Sequence, residues 1–299
     1  MRVARPAALL SLAVALMPAA RGGMLDDPEV ALVGSFVANA FGAATEVDIQ
    51  ATTLRLRTGD RLRLRADVPF LRVRSSNEVL GAGLGPVPVD PRRRGGTGGA
   101  GPGPGAPGGA GPSEPDQLDP FEPIASPREE WTSGLGDLWL GLDWTLAGGG
   151  AKEYRADLEL EAKVPTADEE KNLGTGELDL RIGVAGEYEL WSLSAFGGLG
   201  FNRLGDPPWV RLEDALDAYA GIESPPLAER VFLFGWLQGI EAVVAGESSR
   251  ALAGVGARGL GKVRWQVQVV TGLSGPAPDF GASCALSFGL DRAGPIRRV

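Results

Sequence analysis

The chain has no histidine, one cysteine and only three methionines among its 299 residues. Without histidine the commonest general base and metal ligand is missing, which excludes Ser–His hydrolase triads and histidine-bearing zinc sites. A single cysteine closes no internal disulfide and has no partner for a thiolate metal site. That residue, Cys284, lies in ASCALSFGL on an alternating apolar face, where a small packed or lipid-facing role is expected rather than a nucleophile. No catalytic constellation, cofactor-binding motif or metal-ligand set is found, so the chain reads as a non-enzyme. No apolar run reaches the ~18 residues of a membrane-spanning helix. Positive charge is in deficit: 29 basic against 38 acidic residues give a net charge of −9, which argues against nucleic acid as the main partner.

What the chain has in quantity is glycine and proline, 45 and 23 residues. That composition belongs to turns and strands more than to helices. The N-terminus, MRVARPAALLSLAVALMPAARGG, carries Arg2 and Arg5, then the apolar run Ala7–Met17, then small residues. This is the build of a secretory signal peptide cleaved near residue 23, so the mature chain is expected to be exported.

Residues 155–164, RADLELEAKV, alternate strictly between charged and apolar. A period of two means a β-strand with one wet and one greasy face. A soluble barrel or sandwich turns the apolar face inward; a membrane barrel turns it to lipid and the charges to a lumen. The same scheme recurs in RLRLRADV (61–68), GDLWLGLDWTL (136–146), ELDLRIGV (177–184), RALAGVGAR (250–258) and KVRWQVQV (262–269). About twelve strands are predicted, beginning near residues 31, 48, 60, 133, 152, 174, 189, 214, 228, 247, 262 and 280. VFLFGWLQGIEA (231–242) is apolar on both faces near its start, and LEDALDAYAG (212–221) fits a helix or a loop entering a strand.

Loop lengths separate the two kinds of barrel. Transmembrane barrels have short turns on the periplasmic side and longer loops outside. Connections after even-numbered strands are Thr58-Gly59-Asp60, AGGGAK (147–152), GEYE (186–189), ESPPLAE (223–229) and Gly259-Leu260-Gly261. Those after odd strands include PTADEEKNLG, GDPPWVRLED, SGPAPD and the stretch 75–131, while the short AGESSR (245–250) and the longer ESPPLAE break the parity. A soluble sandwich has no reason to sort loops this way. Residues 91–117 are low-complexity Gly/Pro sequence, and their GxGxxG-like strings lack the flanking strand and helix of a nucleotide site. DEEK (168–171) lacks the ligand spacing of a calcium loop and reads as a solvated loop tip.

The order of ADVPFLRV (66–73), GLGDLWLGLDWTL (134–146), LELEAKVPTADEEKNLGTGELDLRIGVA (158–185) and SLSAFGGLGFNRLGD (192–206) resembles the outer-membrane proteins of the MetA-pathway of phenol degradation type. Shared with that family are GLGDL, a strand ending K-x-Pro-Thr, then LGTG, a D-x-x-x-G strand and a G-x-x-x-x-GD corner. The resemblance spans most of residues 48–290 and implies an outer-membrane barrel linked to uptake of hydrophobic aromatic compounds. The chain departs from the family in its Gly/Pro insertion and in running on past Phe288.

The expectation is therefore an all-β, antiparallel up-and-down transmembrane barrel of about 12 strands (range 10–14). Residues 1–23 form the signal peptide, 24–299 one barrel domain, and 75–131 a long loop within it. Its partners would be outer-membrane lipid, the barrel assembly machinery and a small solute. The lumen would be lined by Arg61, Arg63, Arg65, Asp137, Asp143, Asp157, Glu159, Glu161, Glu177, Asp179, Arg181, Lys262 and Arg264. Trp144, Trp191, Phe201, Trp236, Trp265 and Phe288 are candidates for interfacial girdles. Three functions fit: a passive channel or transporter for small solutes, a non-conducting structural or adhesive barrel, and a soluble lipocalin-like binder.

Overall fold

A computed structural model describes residues 30–41, 45–74, 78–81, 85–88, 131–149 and 153–289, apart from 172, 209, 228–229, 245 and 275–276. The leader and the Gly/Pro-rich stretch 91–117 lie outside the described residues. In chain order the strands are β1 (Val30–Phe41), β2 (Thr45–Thr58), β3 (Leu62–Arg74), β4 (Glu78–Gly81), β5 (Gly85–Pro88), β6 (Thr132–Leu135), β7 (Leu138–Gly148) and β8 (Tyr154–Val164). They continue as β9 (Asp179–Leu190), β10 (Leu193–Arg203), β11 (Ala215–Glu223), β12 (Val231–Ile240), β13 (Arg250–Gly259), β14 (Val263–Gly272) and β15 (Phe280–Gly289). A single 3-10 turn, Glu169–Lys171, interrupts the β pattern.

Every neighbouring pair is antiparallel. Pairing runs from β1 through β2 and β3 onward to β15, and β15 returns to β1 with Ala31 opposite Gly289 and Ala40 opposite Phe280. Because β6 and β7 both pair with β3, they act as one wall strand, broken at Gly136-Asp137 where Pro69 stands opposite. Pro69 has no N–H for the ladder. The result is a closed barrel of twelve wall strands, with β4 and β5 a separate small hairpin inside the 75–131 connection. Closure leaves no open edge, which is what a sheet surrounded by hydrocarbon requires.

The two faces are sorted as the alternation demands. On β8, Asp157, Glu159, Glu161 and Lys163 are buried inside while Leu160 is exposed outside. On β9, Leu180, Ile182, Val184 and Tyr188 face out, and on β14 Val263, Trp265, Val267 and Val269 do the same. Large apolar residues are thus exposed around the whole outer wall, with charges within, the inverse of a soluble barrel. Tyr154, Tyr188, Trp191, Trp265 and Phe288 gather on the outer face toward the short-turn end; Phe70, Phe201 and Phe280 lie toward the other end. Such aromatic belts mark the two membrane–water interfaces.

Two predicted details differ. GEYE (186–189) is not a turn: β9 runs to Leu190 and the reversal is made by Trp191-Ser192 alone. The period-two pattern simply continues, with Tyr188 and Leu190 outward. Trp236 is buried inside the barrel rather than in a girdle, its indole N–H donating to Gln268 Oε1 at 3.2 Å. The doubly apolar start of β12 is explained by Phe234 and Trp236 inside and Leu233 and Leu237 outside.

Candidate functional site

The inner wall of β3, β7, β8, β9 and β11 is a mesh of ion pairs. Arg63 contacts Asp157 at 3.0 Å and Asp143 at 3.4 Å. Arg65 contacts Asp67 at 2.8 Å and Glu161 at 2.9 Å. Arg181 holds Glu159 through Nη1 at 3.0 Å and forks onto both oxygens of Asp217 at 3.0 Å each. Arg155 binds Asp157 and Thr145, and Thr145 also donates to Asp157 at 2.8 Å. Asn202 donates to Asp217, Thr53 to Asp67, and Arg258 pairs with Glu223. Burying these charges is tolerable because each has an opposite charge within 4 Å.

Glycines let the long cations lie along the wall instead of across the lumen. Arg65 on β3 reaches Glu161 on β8 by crossing β7 at Gly141, where a Cβ would stand 3.2 Å from its guanidinium nitrogens. Arg181 on β9 reaches Asp217 on β11 by crossing β10 at Gly200, where a Cβ would collide with both groups. On another part of the wall, Trp236 lies over Gly254 and Phe196 over Gly221 in the same manner.

One side of the interior, toward β1–β3 and β12–β14, is apolar. Val37, Val47, Ile49, Leu71, Val73, Phe234, Trp236, Leu252 and Val270 form one buried cluster. Two of its members come from connections rather than strands: Leu173 from 165–178 and Ala277 from 273–279. Both are folded onto inward-facing glycines, Gly134 and Gly272.

Of the predicted lining residues, Arg63, Arg65, Asp143, Asp157, Glu159, Glu161 and Arg181 meet in the ion-pair mesh. Asp137 and Asp179 meet instead on Lys163 at the long-loop end. Glu177 lies in the loop before β9, and Arg264 is half-buried on β14 away from that mesh. Arg61 and Lys262 are exposed in the tight turns and do not line the interior, because each precedes the first paired residue of its strand. Asp67, Lys163, Asp217, Glu223 and Arg258 were not singled out. The first two stand in the quoted alternations, whereas Asp217 lies in the ambiguous segment LEDALDAYAG.

A closed antiparallel barrel with an apolar belt and a charged interior defines a bacterial outer-membrane β-barrel. Among solved structures, an outer membrane channel from Pseudomonas putida F1 matches with a TM-score of 0.62 and 14% identity, over 88% of this chain and 96% of that one. The NanC porin overlaps with a TM-score of 0.49 at 5% identity, covering 87% and 100% of the two chains. The CymD monoaromatic hydrocarbon channel overlaps with a TM-score of 0.44 at 8% identity, covering 91% of each. The first shares the fold of this chain. No family model and no curated protein sequence matches the chain.

Proposed function

We propose that the chain is a passive outer-membrane channel for small, largely apolar solutes, hydrophobic aromatic compounds being the class that the MetA-type motifs imply. The observation that carries this reading is the apolar cluster lining the interior along β1–β3 and β12–β14. Against those side chains a hydrated ion or sugar would shed water with few polar partners to replace it, whereas an apolar solute loses little. Across from it, on β3 and β7–β11, the ion-pair mesh holds its charges along the wall. Membership of the MetA-type family is part of the proposal, and so are surrounding lipid and the barrel assembly machinery as partners. The test is uptake by diderm cells depleted of their general porins, with and without this chain. Faster entry of a labelled monoaromatic hydrocarbon, with disaccharide entry unchanged, supports the reading. Equal entry of both solutes in both strains would leave a non-conducting structural barrel.

A further inference from the structure

Four of the sequence motifs converge on one side chain. Lys163, from the K-x-Pro-Thr strand end, is only 1% exposed. Its Nζ lies 2.6 Å from Asp179 Oδ2 of the D-x-x-x-G strand and 3.3 Å from Asp137 Oδ2 of GLGDL. It donates to Thr175 Oγ1 of LGTG at 2.7 Å. Asp137 Oδ1 accepts the N–H groups of Thr166 and Ala167, each at 3.0 Å. Asp179 Oδ1 accepts the N–H of Gly205 at 2.9 Å, tying in the GD corner. The connection 165–178 is therefore anchored at both ends by the same buried cation and its two carboxylates.

Between those anchors the loop delivers Leu173 into the barrel mouth. Leu173 is 1% exposed, more deeply covered than most strand residues around it. Its Cδ1 occupies the space a Cβ on Gly134 would need, at 2.7 Å. Gly174 passes so near Ala167 and Asp137 that an added Cβ would stand 2.7 and 2.8 Å from their side chains. Loops ordinarily run over a surface and keep their apolar groups few. Here an apolar side chain is turned into the barrel interior against Gly134, and a buried salt bridge sets its position.

We propose that Leu173 is the selectivity stopper of the lumen and that Lys163 is the positioning residue that seats it. The proposal rests on reading the barrel as a conduit. Leu173 extends the apolar cluster of β1–β3 and β12–β14 toward the opposite wall, and apolar constrictions disfavour water and ions. Without the Lys163 ammonium, Asp137 and Asp179 would face each other unneutralised and the loop would lose both anchors.

The experiment is single-channel recording of the full-length barrel in planar bilayers, with heat-modifiable gel migration reporting correct folding. Wild type is expected to conduct potassium chloride weakly. Leu173→Gly and Lys163→Met should each raise conductance by about tenfold, as expected when an apolar gate is rewetted. Leu173→Ile should stay at the wild-type level, and the double variant Leu173→Gly/Lys163→Met should match the singles rather than multiply them. If Lys163→Met does not fold, Thr175→Val removes one hydroxyl and should move conductance in the same direction. A folded Leu173→Gly barrel with wild-type conductance would overturn the stopper. A double variant whose effects multiply would overturn the role of Lys163. Opened variants alongside absent aromatic uptake in the cell assay would remove the proposed solute class and leave the stopper standing.

Discussion

Arg181 and Asp217 join two strands that are not neighbours. The guanidinium leaves β9, passes over Gly200 of β10 and meets both carboxylate oxygens on β11 at 3.0 Å. Fork-to-fork geometry of this kind is the strong form of an ion pair. Asp217→Asn keeps the shape and removes the charge, and should cost about 2 kcal/mol. Gly200→Val should cost at least as much, because its side chain would occupy the guanidinium's path. Urea unfolding in detergent micelles, followed by tryptophan fluorescence, measures both. A neutral Gly200→Val would show that Arg181 has another route to its partner.

Leu160 and Glu161 test the direction of the wall. Leu160 faces outward near the middle of β8 and Glu161 is buried within. Leu160→Arg places a cation in hydrocarbon and should cost ~2–4 kcal/mol. The folded, heat-modifiable fraction after refolding into vesicles should fall sharply. Leu160→Val should refold normally.

The turn between β9 and β10 sets local strain against membrane anchoring. Trp191 has a φ of 58° and is 94% exposed, in a two-residue reversal between the paired Leu190 and Leu193. A bulky residue in that region is sterically costly, and glycine is the usual occupant of such a turn. Trp191→Gly should therefore gain about 1 kcal/mol in detergent. In phospholipid bilayers the gain should shrink or reverse, because the indole is lost from the interface. Comparing unfolding midpoints in the two media separates the effects.

Cys284 is a built-in depth probe. It is exposed on β15, in register with Phe36 and Val267 on the neighbouring strands. A water-soluble maleimide does not enter hydrocarbon, so labelling in vesicles should be at least about tenfold slower than in urea. Rapid labelling in vesicles would place this face of β15 in water.

Much of the wall was legible because a period of two is a local signal. RADLELEAKV names its own faces, and the expected starts near 31, 133 and 280 fall at Val30, Thr132 and Phe280. Periodicity says which side a residue takes, but not where the ladder ends. Arg61 and Lys262 share the phase of inward residues and still fall in turns. Nor does it say what an inward residue meets. Asp137, Lys163, Thr175 and Asp179 lie on four segments, and only closure of the sheet brings them together. Trp236 was misplaced for a related reason: a tryptophan near a strand centre suits a membrane interface or an aromatic interior equally well, and its hydrogen bond to Gln268 is non-local.

The glycine crossings bear on how the barrel assembles. Each of Arg63, Arg65, Lys163, Arg181 and Arg258 finds its acid on its own strand or within two strands around the sheet, and none of these pairs spans the β1–β15 seam. A growing sheet can thus neutralise its charges hairpin by hairpin, before the last strand docks. The seam itself joins β1 to the inward Ser283, Ala285 and Ser287 of β15, which bring no charge to be matched at closure. Ring closure is left to the ladder from Ala31–Gly289 to Ala40–Phe280 and to apolar burial, with Val37 of β1 joining the cluster that holds Val270 of β14.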